Sequence, residues 1–318
     1  MKSRRAILVE PEKFEIREVE VNPGPGDLLV KVGVNGLCNW ELNHFKGLLG
    51  ECPQSLGHEW AGTVAAVGKY VNDFTVGDHV TSLEGGMTGF SDYLTAPVAK
   101  CFKLVKDVEL EHGLVEPLKC IVTVLRGTAP EVGDYGVVLG CGPMGLWCIQ
   151  ALSGNLLGGL IAVDVDESKL KLAEKFGATH MINSRAEDTV RKIREITGGH
   201  MADFVIEGTG IPAVLNTGLS YLRNNGRGRL ILMSSHEEIC KEFDFREAIK
   251  RSVEIRVPHP GYSMNQTDDM RRAVNALNRG VFKMDEIISH RFKLEDIQKA
   301  FETLEQKPKG YIKGVVIP

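Results

Sequence analysis

The stretch YGVVLGCGPMGLWCIQAL, residues 135–152, narrows the possible folds more than any other part of the chain. A short apolar run ends in G-x-G-x-x-G, set by Gly140, Gly142 and Gly145, and apolar residues then recur with helical spacing. Each glycine of such a strand–turn–helix unit has its own reason. The first permits the tight turn, the second lets backbone approach a pyrophosphate, and the third lets helix and strand pack closely. Phosphates then rest against the free N–H groups of the helix N-terminus. The next strand, in LIAVDVDES, ends in Asp164, which can accept hydrogen bonds from a ribose 2′-hydroxyl. It would repel a 2′-phosphate, and no arginine adjoins it in sequence, so NAD is expected rather than NADP. The residues expected at the cofactor are Gly140, Gly142, Pro143, Met144, Gly145, Asp164 and Lys169. The competing reading is a glycine-rich turn that binds nothing, with Asp164 a solvated strand end or a helix cap.

Around this unit the pattern is regular. From residue 119 to 254, short strands (GLIAVDV, HMINS, ADFVIEGTG, GRLILMS) alternate with helical segments (ESKLKLAEKFG, AEDTVRKIREITGG, IPAVLNTGLSYLRN). That alternation predicts βαβ units and a parallel sheet covered on both faces, the doubly wound α/β class. Residues 1–118 read differently: RAILVE, FEIREVEV, LLVKVGVNGL, AGTVAAVG, DHVTSL and DYLTAP are short strands punctuated by turn signals. They predict an antiparallel, barrel-like β unit. After 255 come helices TDDMRRAVNALNRG and LEDIQKAFETLEQ and a last strand, YIKGVVIP. The expected plan is a discontinuous domain, 1–118 with 255–318, into which a nucleotide domain, 119–254, is inserted. Tyr135–Val163 contains no charged residue and is long enough to span a bilayer. Glycines at 140, 142, 145, 154, 158 and 159 and Pro143 interrupt it, so it reads instead as the buried heart of a domain.

The 318 residues carry a formal charge of -4 without a basic stripe, which argues against a nucleic-acid partner. No lysine-rich amphipathic segment points to a membrane surface. MKSRRAILVEPEKFEI lacks the apolar run and cleavage site of a signal peptide. The cysteines at 38, 52, 101, 120, 141, 148 and 240 are odd in number and widely spaced, so reduced thiols in a cytoplasmic protein are expected.

Cys38 in GLCNWELNHFKG, His58 and Glu59 in LGHEWAGTV, and Glu116 in GLVEPLKC form the best candidate metal set. A carboxylate between Val115 and Pro117–Leu118 is poorly solvated unless something cationic meets it. One sulfur, one imidazole and one carboxylate suit a tetrahedral zinc with an open fourth position, the catalytic kind of site. Taken singly, a lone cysteine is more often core and a lone histidine more often inert. Which of Glu59 and Glu116 enters the inner sphere stays open.

GHEWAGTVAAVG resembles the G-H-E-x-x-G signature of the zinc-containing medium-chain alcohol dehydrogenases. Cys38, VEP at 115–117, GCGPMG at 140–145 and Asp164 follow in that family's order, over essentially the whole chain. The resemblance implies a Rossmann doubly wound parallel sheet inserted into a GroES-like β-barrel catalytic domain. It also implies one catalytic zinc and hydride transfer between an alcohol and NAD. Glu-Pro at 116–117 resembles the sorbitol dehydrogenase branch, where a glutamate replaces a cysteine ligand. By analogy the substrate is expected to be a sugar, polyol or cyclitol oxidised at a secondary hydroxyl. A homodimer or homotetramer through the Rossmann sheet edge is implied too, with RLILMSS (229–235) the strand nominated for that contact.

Three departures from the family pattern matter. Only Cys101 lies between Gly62 and Glu116, so the four-cysteine lobe of a structural zinc is expected to be absent. Asn39-Trp40-Glu41 follows the metal cysteine in place of Gly-Thr/Ser-Asp, and Asn43 stands where a histidine is usual. Glu41 can still orient His58, but Trp40 cannot relay a proton as a hydroxyl would. Proton release therefore needs His44, Glu116 or a water chain. Trp40 either packs between domains or shapes the substrate pocket and donates from its indole N–H. His44 reads as a cap or solvated surface residue rather than a base. The expected catalytic set is Cys38, His58, Glu59, Glu116, Trp40, Glu41, Asn43 and His44. Two other functions compete: a zinc-independent quinone or enone reductase on the same fold, and a nucleotide-binding protein without catalysis.

Overall fold

β1 (Lys2–Glu10) turns Ala6 and Leu8 into the core and pairs antiparallel with β2 (Lys13–Glu20). The computed structural model describes residues 1–318 except 84–85, 155, 225 and 235–239. β3 (Asp27–Gly36), α1 (Asn39–Phe45), β4 (Gln54–Ser55), β5 (Trp60–Val67), β6 (His79–Ser82), β7 (Tyr93–Pro97) and β8 (Cys101–Leu104) follow. β3 carries the apolar run LLVKVGV and is buried along most of its length, which fits its central position in a sheet. It pairs antiparallel with β5 on one side and with β7 on the other. α2 (Glu116–Thr128) begins with an acid and Pro117, both favoured in a first helical turn.

The second compact unit comprises Cys120–Met264. Its elements are β9 (Tyr135–Leu139), α3 (Pro143–Leu152), β10 (Gly159–Asp164), α4 (Glu167–Lys175), β11 (His180–Asn183), α5 (Thr189–Ile196), β12 (Phe204–Glu207), α6 (Pro212–Tyr221), β13 (Arg229–Leu232), α7 (Phe245–Arg251) and β14 (Glu254–Arg256). The six strands run parallel in the order β11-β10-β9-β12-β13-β14. Strand order reverses at β9, and ligands of such sheets bind beyond the strand ends at that switch point. The charge-free stretch Tyr135–Val163 thus becomes β9, α3 and most of β10. Among the described residues, no helix is long and apolar enough to cross a membrane. β14 begins at residue 254, the expected end of the nucleotide domain, and still adds to the sheet. The strand nominated for contact is no edge: β13 is paired on both sides, the edges of the sheet are β11 and β14, and Ser235 lies outside the described residues.

The chain then returns to the first unit, Met1–Lys119 with Asn265–Pro318. α8 (Gln266–Asn278), β15 (Ile288–Lys293), α9 (Ile297–Gln306) and β16 (Lys313–Ile317) complete it. β16 pairs with β15 in parallel and with the end of β3 antiparallel, Val315 opposite Gly36. The core beneath α1 and α9 is aromatic, with Phe45 and Phe90 centred 5.2 and 5.6 Å from Phe301.

Candidate active site

Strand pairing brings the metal candidates together. Gly36 N–H donates to the Glu59 carbonyl at 2.8 Å, so the β3–β5 ladder continues past the strand ends. Cys38, two residues beyond Gly36, therefore arrives beside His58. Gly36 also leaves room, since a Cβ there would stand 2.0 Å from Glu59 Oε2. The ligand atoms of Cys38, His58 and Glu59 all lie within 4.8 Å of one another. Glu116, first residue of α2, adjoins them with Oε2 3.8 Å from His58 Nε2.

Glu41 is fully buried on α1 and gathers three donors on Oε1. These are the N–H of Gly57 at 2.6 Å, the N–H of His58 at 3.1 Å and His58 Nδ1 at 2.9 Å. An ionised carboxylate only accepts, so Nδ1 carries a proton and the neutral ring keeps its lone pair on Nε2. Two buried lysines complete the surroundings. Lys313 Nζ lies 2.5 Å from Glu59 Oε2 and donates to the Leu37 carbonyl at 2.9 Å. Lys119 Nζ lies 2.7 Å from Glu116 Oε1. The sequence reading missed both. No spacing rule joins Lys313 to Glu59, whereas Lys119 stands at i+3 from Glu116, a helical signal that could have found it.

Burial pushes the Cys38 thiol up, with Glu59 adding to it against His58 and Lys313. Burial would lower the His58 imidazole, but Glu41 and Cys38 outweigh it and hold it well above its ordinary value. Burial would raise Glu116, yet His58, Lys119 and Lys313 bring it below the ordinary carboxylate value.

Trp40 is 45% exposed, with its ring edge-on to His44 at 4.4 Å and to His58 at 5.4 Å. It forms a rim of the candidate centre from within the first unit. His44 is neither a cap nor a solvated surface residue. It is buried on the inward face of α1, with Nδ1 2.9 Å from Gln54 Oε1 and Nε2 unpartnered among the described residues. Asn43 is buried beside it, its carbonyl accepting from Leu48 N–H at 2.9 Å.

At the glycine turn, Asp164 Oδ2 accepts from Cys141 N–H at 2.7 Å, while Oδ1 accepts from Val165 and Asp166 N–H at 2.7 and 2.9 Å. Asp164 thus ties the turn to the end of β10. Asp166, not Asp164, caps α4, accepting from Ser168 N–H at 2.9 Å. A Cβ at Gly145 would stand 2.0 Å from the Gly140 carbonyl, but one at Gly142 would meet nothing within 4 Å. The turn is closed at its third glycine and open at its second. No side chain caps α3, which begins at Pro143 and Met144, so its first N–H groups face that opening. Lys169 lies in the first turn of α4.

The family described as alcohol dehydrogenase GroES-like domain matches residues 24–106, and the one described as zinc-binding dehydrogenase matches 143–279. (R,R)-butanediol dehydrogenase of Bacillus subtilis (strain 168) is 29% identical, the match covering 92% of this chain and 93% of that protein. Sorbitol dehydrogenase of the same organism is 27% identical over 95% of this chain and 94% of its own. The chain belongs to the zinc-dependent medium-chain alcohol dehydrogenases. A solved dehydrogenase of unknown specificity from Escherichia coli, 27% identical, covers 100% of this one, and 99% of it is covered in turn, with a TM-score of 0.88. The parallel sheet of this dehydrogenase is the Rossmann part of the family fold, and the antiparallel unit its GroES-like part.

The donor set of this dehydrogenase fits zinc. A cysteine sulfur, an imidazole already committed to Glu41 through its other nitrogen, and a carboxylate are the mixture that ion takes. The space open at Gly142, beside an uncapped helix start, likewise fits the phosphates of a dinucleotide.

Proposed function

We propose that this dehydrogenase oxidises a secondary hydroxyl of a polyol, sugar or cyclitol, passing the hydride to NAD, with one zinc per chain held by Cys38, His58 and Glu59. The observation that carries this reading is the convergence of those three ligand atoms within 4.8 Å. Zinc bound there would supply Lewis-acid polarisation of the substrate oxygen. Glu41 fixes the His58 ring and its tautomer. Trp40 offers a flat apolar face and an indole N–H, a combination suited to a substrate with C–H and hydroxyl groups side by side. NAD bound in its own unit would supply the hydride acceptor, and the hydroxyl proton must leave by a separate route. We assign its first acceptor to Glu116 Oε2, since Oε1 is engaged by Lys119. Gly140, Gly142, Gly145 and the helix they open would hold the pyrophosphate of NAD, and Asp164 its ribose.

The butanediol and sorbitol dehydrogenases among the relatives support a substrate with neighbouring hydroxyls. The test is NADH formation by purified protein over a panel of vicinal diols, polyols and cyclitols, with zinc measured on the same sample. Zinc-loaded protein that forms NADH with none of them overturns the reading. Self-association belongs at β14, one edge of the sheet, where Ile255 is 43% exposed and Val257, just after the strand, 66%. Sedimentation should give a dimer or tetramer for the native chain and a smaller species for Val257→Glu. Seven thiols, none in a disulfide, suit a reducing cytoplasm, where cell fractionation should find the protein.

A further inference from the structure

Lys119 is 5% exposed and stands one helical turn after Glu116 on α2. Its Nζ is 2.7 Å from Glu116 Oε1, while Glu116 Oε2 faces His58 Nε2 at 3.8 Å. The two oxygens of Glu116 are thereby divided between a cation and the metal candidates. Only Glu59, of the two glutamates, has its ligand atom within 4.8 Å of those of both Cys38 and His58. A glutamate released from its cation can offer a metal both oxygens, which would fill the position a catalytic zinc keeps open and raise the coordination number from four to five. Turning Glu116 toward the metal would break a buried ion pair, which low-dielectric surroundings make unfavourable.

We propose that Lys119 is a positioning residue that holds Glu116 outside the coordination shell and so preserves an open position for substrate. This rests on the metal reading of Cys38, His58 and Glu59 given above. Cobalt(II) in place of zinc reports coordination number, because its visible bands are strong with four ligands and weak with five or six. The native chain should bind one equivalent with strong bands. Lys119→Met should still bind one equivalent, with bands weakened several-fold and turnover lowered about 10–100-fold. Lys119→Arg, which keeps the cation, should retain strong bands. Adding Glu116→Gln to Lys119→Met should restore them, since an amide is a poor metal ligand. If Lys119→Met does not fold, as judged by NADH binding, Lys119→Gln is measured in the same way. Bands unchanged on loss of the lysine charge overturn the proposal, whatever the turnover. Failure of the native chain to bind cobalt overturns the metal reading itself.

Discussion

Glu41 takes three N–H donors on one buried oxygen and so fixes both the backbone and the ring of His58. Glu41→Ala should weaken zinc binding about 10–100-fold, measured against a chromophoric chelator. It should also lower stability by about 1–3 kcal/mol in a denaturant titration, since buried donors lose their acceptor. Gly36→Ala acts from the other side, its Cβ displacing the Glu59 carboxylate, and should weaken zinc binding while sparing NADH binding. Protons compete with the metal here. Burial holds the Cys38 thiol above its ordinary value, and Glu41 and Cys38 hold the His58 imidazole above its own. Zinc takes the thiolate and the neutral imidazole, so its affinity should fall as the solution is acidified. A pH-independent zinc titration would count against this donor set. That Cys38, His58, Glu59 and Glu41 would lie together was legible because one compact motif and its upstream cysteine carry them. His44 was misread because nothing local tells which face of a seven-residue helix turns inward.

Periodicity made the strands and helices of the Rossmann unit readable, since each side-chain repeat is local. The start of α2 was less so, because VEPLKC joins an apolar run to a proline and hides the first turn that carries Glu116 and Lys119. The extent of the sheet was also hidden, as β14 is three residues long and partly exposed. One ion pair spans distant elements of this unit. Arg229, opening β13, places Nη2 2.5 Å from Asp134 Oδ2, just before β9, and both are nearly buried. Asp134→Ala leaves that guanidinium without its carboxylate, and should cost about 3 kcal/mol in urea-induced unfolding. A change near zero would show that the Ala129 carbonyl, 2.5 Å from Nη1, suffices for Arg229.

The cofactor candidates belong to Cys120–Met264, and the metal candidates to Met1–Lys119 with Asn265–Pro318. Stripping the metal should therefore leave NADH binding intact by fluorescence titration. The melting midpoint should fall and return on adding zinc, with about 2.7 kcal/mol regained at a hundredfold excess over Kd. Loss of NADH binding on chelation would count against two sites drawn from separate units. The discontinuous plan was readable from the change of pattern along the chain, but the closing of the first unit by β16 on β3 was not, because that pairing is long-range. Lys313 rides on this closing strand, 254 residues after its partner Glu59. At about 5–20 residues per second, a ribosome takes roughly 13–50 s to cover that interval. Glu59 waits for that time without its lysine, beside the finished Cys38 and His58, where a zinc ion would supply the missing positive charge. Starving cells of zinc during synthesis should then reduce the yield of native protein more than removing zinc from the finished chain, a difference that pulse-labelling would reveal.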